Sequence, residues 1–139
     1  MTLSKNRCYT YFRIIGDFDP DAIAARLGLK PDKSVRAGDL RGDGSVYDCS
    51  SLMFGRCNEY EVCTGNQMRK TISCLLDKTD ELKRIKNELD LSYYLEIAPT
   101  IFVDEPGPCL SPPLDIIDFC HETRTEIDID YYLLESESK

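Results

Sequence analysis

The sequence predicts an α+β fold: a single two-layer domain in which a largely antiparallel sheet of about five strands carries helices on one face. Three observations carry that prediction. "RCYTYFRII" (7–15) and "TEIDIDYYL" (125–133) alternate side-chain character with period two, the pattern of strands buried on one face and wet on the other. "PDAIAARLG" (20–28) and the stretch 66–89 instead space their apolar residues at helical period. The length of 139 residues fits one domain with a core of its own.

The elements follow in order. In the first strand Cys8, Thr10, Phe12 and Ile14 share one face, and Tyr9, Tyr11 and Arg13 share the other. A helix over 19–27 has Asp19 as N-cap, Pro20 at its first position, Asp21 in the first turn and Gly28 as the left-handed residue that stops it. Pro31, Gly38, Gly42 and Gly44 make 30–45 a long polar connection. Two strands are expected at about 46–54 and 58–64, then helices at 66–77 and 79–89, with Thr79 as the cap between them. A strand over 92–103 contains Pro99, which points to a bulge or an edge. A helix over 112–121 starts from Ser111, and the last strand turns Thr125, Ile127, Ile129, Tyr131 and Leu133 inward in an antiparallel-type pairing. The final residues, 135–139, read as a solvated tail. "PDAIAARLG" and "PLDIIDFCH" (113–121) match faintly and suggest two strand–helix–strand units.

The net charge of −8 is unevenly placed. Residues 1–103 carry 15 acids and 15 bases; residues 104–139 carry 10 acids against Arg124 and Lys139. That acidic end argues against a nucleic-acid partner, because phosphates demand a basic footprint. Residues 1–12 show no apolar h-region and no run approaches about 20 apolar residues, so no secretory leader is expected and the reading is a cytoplasmic protein without membrane association. The seven cysteines include no CxxC pair, and several, such as Cys74 beside Leu75 and Leu76, stand where a small hydrophobe would serve.

No motif carries a recognisable chemistry. Asp17, Asp19 and Asp21 imitate the first ligands of a calcium loop, but Ala22 stands where that loop needs glycine and Gly28 where it needs glutamate. "RAGDLRGDG" lacks the Gly-Lys-Ser/Thr of a phosphate loop. His121, the one histidine, adjoins Cys120, yet neighbouring helical residues point about 100° apart. No metal, no cofactor and no catalytic group is expected, and the protein reads as a non-enzyme. The expected docking surface for a basic protein partner is the wet face or edge of the sheet, with Tyr9, Tyr11, Tyr94, Glu96, Glu126, Asp128 and Asp130. The alternative is a small-anion or metabolite sensor using the 36–44 loop, with Arg36 and Arg41 as its grip.

"YFRIIGDFDPDAIAARLGLKPDKSVRAGDLR" resembles the bacterial domain of unknown function 4279. Phe12, Ile14 and Gly16 fill its opening strand, Ile23, Leu27, Gly28, Leu29 and Pro31 its helix and exit, and Arg36, Gly38 and Asp39 its basic–Gly–acid loop. The helix pair and the closing "IDIDYY" are also similar, which extends the likeness over nearly the whole chain. A tryptophan common after that loop is absent here. The resemblance implies no activity; it fits small bacterial proteins, some of them neighbours of toxin systems, and the concrete form of the docking expectation above is an immunity protein that caps a basic toxin.

Overall fold

The chain folds, in a computed structural model describing residues 5–135, into one mixed sheet with four helices. The elements run β1 (Arg7–Gly16), α1 (Pro20–Leu27), β2 (Lys33–Val35), β3 (Ser50–Cys57), α2 (Gly65–Ile72), α3 (Thr79–Glu88), β4 (Leu91–Phe102), α4 (Leu114–Thr123), β5 (Thr125–Ile129) and β6 (Tyr132–Leu134). The sheet order is β2-β3-β1-β4-β5, with β6 also on β4. The pairs β2–β3, β3–β1 and β1–β4 are antiparallel, whereas β5 and β6 lie parallel to β4. The expected α+β class and its largely antiparallel sheet stand.

The predicted inner face of β1 is the core. Cys8, Thr10, Phe12 and Ile14 are buried with Leu52, Phe54, Tyr93, Leu95 and Ile97, against Ile23 and Leu27 of α1, Met68 and Ile72 of α2, Leu82 and Ile85 of α3, and Ile116 and Phe119 of α4. The helices therefore cover one face. Polar links fasten the layers where apolar packing alone would leave buried donors unmatched. The Thr10 hydroxyl meets Thr71 Oγ1 at 2.6 Å, and Tyr93 Oη donates to the Leu82 carbonyl at 2.7 Å. Gln67 Nε2 donates to the carbonyls of Cys8 (2.6 Å) and Cys57 (2.9 Å), tying α2 to both β1 and β3.

The first helix starts and stops as its residues dictate. Asp19 accepts from the Asp21 amide, Pro20 opens the helix, and Gly28 closes it at φ 66°. Several other boundaries differ. The strand expected at 46–54 runs over 50–57. Its register with β1 slips by one residue, and Gly55 there adopts φ 68°; a Cβ on it would lie 2.0 Å from the Thr71 carbonyl oxygen. This bulge lets α2 approach closely. No ladder strand forms at 58–64; only Cys63 pairs, with Cys109. The short β2 lies inside the expected polar connection. The helix expected over 66–77 ends at Ile72, and a 3-10 turn at Leu76–Lys78 precedes α3. Thr79 does not cap: its hydroxyl donates back to the Leu76 carbonyl. α4 begins at Leu114 rather than near Ser111, since a residue before proline is pushed out of helical geometry and Pro112–Pro113 impose this twice.

The closing strand is corrected in two respects. It is parallel to β4, because α4 carries the chain back to the end of the sheet where β4 began. It is also broken in two: β5 pairs with residues 93–97 and β6 with 100–102. Pro99, which has no amide hydrogen, lies opposite the break. Of the expected tail, residues 136–139 lie outside the described residues. The faint repeat has a topological echo. β1 and β2 are both antiparallel to β3, so β1–α1–β2 and β4–α4–β5 each join strands that run the same way, with β3 inserted in the first unit.

Candidate functional site

The face of the sheet away from the helices is the candidate site. The register places Lys33, Met53, Arg13, Tyr94 and Glu126 in one row across β2, β3, β1, β4 and β5, and Tyr11, Glu96 and Asp128 in another. Charge therefore runs from basic at the β2–β3 side to acidic at β5. Sequence reasoning expected an acidic, tyrosine-bearing face; the face is two-signed.

Each expected residue has a definite place. Tyr9 and Tyr11 stack with ring centroids 5.9 Å apart, and the Arg56 guanidinium stands 4.8 Å from the Tyr9 ring. Tyr94 lies under Arg13 at 5.3 Å. Glu126 and Asp130 are exposed, and Asp128 is half-buried. Glu96 is the exception. Only 4% exposed, it pairs with Arg13 at 2.9 Å and is not a surface acid. Burial first, then the Asp128 carboxyl beside it, raises its pKa to about 8 against the opposing pull of Arg13.

The edge of this face is apolar as well as acidic. The run Ile129–Leu134 was expected to turn Ile129, Tyr131 and Leu133 inward, but the parallel edge leaves them out. Ile129, Tyr131, Tyr132, Leu133 and Leu134 are between 40% and 63% exposed, with Asp130 among them. Tyr132 Oη donates to Asp130 at 3.3 Å.

The 36–49 segment is an ordered hairpin rather than a slack loop. Gly38 donates to the Tyr47 carbonyl, Tyr47 to Asp39 and Arg41 to Ser45, with Leu40 opposite Val46. Arg41 stacks on Tyr47 at 4.3 Å and, with Arg13, Lys33 and Asp48, lines a hollow of about 270 Å³ against the sheet. Arg36 does not line it. Its guanidinium is held at 3.0 Å by both Asp19 and Asp21, so the expected Arg36–Arg41 grip is not assembled. The acidic helix entrance thus has a second task beyond capping, and hydrogen bonding to Arg36 holds Asp19 below the usual carboxylate range.

Other places offer less. A crevice of about 590 Å³ between α3 and α4 is lined by Lys83, Lys86, Glu122 and Arg124, but Lys83 pairs with Glu122 and Lys86 donates to the Arg124 carbonyl. The crevice also meets the carbonyl end of α4, which repels anions. Among the described residues no three His, Cys, Asp or Glu side chains gather as a metal site. His121 is exposed while Cys120 is buried. The thiols are free, and two of them, Cys63 and Cys109, are exposed and belong to residues paired through a parallel backbone bridge. Sequence reasoning missed Lys33, Arg56 and Tyr47. Arg13 had been visible on the wet side of its strand, the one available signal.

A small α+β domain with an open, two-signed sheet face is the class this geometry defines. The chain belongs to the family described as Domain of unknown function (DUF4279), whose model matches residues 6–134. No curated protein and no solved structure matches it. Among the described residues no helix is long and apolar enough to cross a membrane.

Proposed function

We propose that the chain is a non-enzymatic, cytoplasmic protein-binding module whose β5–β6 edge docks a basic protein partner. The observation that carries this reading is the edge itself: five large apolar side chains in six residues stand exposed beside Glu126, Asp128 and Asp130. Exposed apolar surface framed by charge is the composition of a docking site, and an edge strand offers unpaired backbone groups for an added strand. The charge selects the partner. A second copy would bring the same carboxylates against themselves, whereas a basic segment is drawn in and held. Free thiols suit a reducing compartment. An immunity protein capping a basic toxin is the concrete form.

The test starts from capture out of native lysate and continues with the purified, identified partner in calorimetry. Glu126→Lys with Asp130→Lys is expected to weaken binding at least about tenfold, as is raising the salt. Asp128 is spared because it supports Glu96. Leu133→Asp is expected to abolish binding. Unchanged affinity in the charge-reversed variant, or cross-links mapping to the helix face, would overturn the reading.

A further inference from the structure

We infer that the opposite, basic half of the open sheet face holds a second site, for a small organic anion: a flat apolar body bearing a phosphate or carboxylate. Its walls are the hollow under the 36–49 hairpin, about 270 Å³, and a shallower one of about 190 Å³ that shares Lys33 and Met53 with it. The floor is apolar, from Ile15, Val35 and Met53, and Tyr47 closes one side. Such a size suits an aryl-sized body, just under the range of drug-sized pockets at roughly 300–1,000 Å³.

The charge is what asks for an occupant. Lys33, Arg41 and Arg56 make no ion pair among the described residues, and Arg13 has a buried Nε without an acceptor although its terminal nitrogen reaches Glu96. The two hollows together are lined by these four cations and by one carboxylate, Asp48. Elsewhere Arg26 is matched by Glu81 and Glu88, Arg36 by Asp19 and Asp21, and Arg69 by Asp115, and the other cations without an ion pair among the described residues, such as Arg7, Lys30 and Lys78, line neither hollow. Gathering unmatched cations costs Coulomb energy, which a bound anion repays; guanidinium forks then fix its orientation. The aromatic planes are already used by cations on one side, as Arg41 on Tyr47 and Arg56 on Tyr9, an arrangement that a flat ligand can extend. This site shares no named residue with the docking edge, so either can fail alone.

Two-dimensional amide NMR of the full chain, titrated separately with phenyl phosphate, benzoate and phenol, tests it. Phenyl phosphate or benzoate is expected to move the signals of Lys33, Arg41, Tyr47 and Ser51. At least one of them should bind about tenfold more tightly than phenol, and the tighter of the two names the headgroup. Lys33→Ala with Arg41→Ala, both on exposed side chains, is expected to remove that preference, while Arg36→Ala keeps it. Silence from both anions, shifts centred on the α3–α4 crevice, or an unchanged preference in the double variant would overturn the site.

Discussion

Glu96 shows how one residue changes meaning on folding. In the sequence it is an outward acid on an alternating strand; in the fold it is buried between Arg13 and Asp128. Its folded pKa of about 8 lies above its unfolded value, so the folded state holds the proton more tightly. The associated stability is full below the unfolded pKa, near 4.3, and is lost as pH rises through about 8. Denaturant unfolding measured from pH 5 to 8.5 should therefore show a fall in stability that Glu96→Gln flattens. Equal slopes in the two proteins would show that Glu96 ionises normally.

Among the elements, α1 was the most readable and β3 the least. Everything that starts and stops α1 is local: a cap, a proline, a glycine. β3 is placed by a contact with α2, because Gly55 takes left-handed geometry directly under the Thr71 carbonyl. Gly55→Ala must both strain that geometry and displace α2, and is expected to destabilise the protein by about 3 kcal/mol or more. Chemical denaturation gives the value; a loss under 1 kcal/mol would mean the bulge readily rearranges. The last strand shows the complementary lesson. Its alternation reported one-sided burial correctly at Thr125 and half-correctly at Ile127, but alternation carries no information on strand direction.

Across the whole molecule, Cys63 and Cys109 meet although the loops that carry them are far apart in the chain. Paired backbones lie about 4.8 Å apart, within the Cα separation that a disulfide spans. Treatment with diamide is expected to join them: the two thiols lose two electrons and two protons, which reduce the diamide to its hydrazine. Closing this loop should stabilise the fold by about 4 kcal/mol by the chain-entropy relation. Peptide mapping and a thermal melt check both points; a Cys63→Ser protein that gains the same stability on oxidation would refute the assignment.

By itself, the sequence determined the α+β class, the inner face of β1, the first helix with both its caps, and the acidic closing segment, because capping, periodicity and charge act between neighbours in the chain. It also carried the family, in residues 12–39 above all. Only the tertiary structure decided that β5 runs parallel and leaves its apolar residues at an edge, that Arg36 is spent on Asp19 and Asp21, and that Lys33, Arg41 and Arg56 stand together against Glu126 and Asp130. Each of these depends on strand order and on contacts between residues many positions apart, and neither leaves a local trace in residue type or spacing.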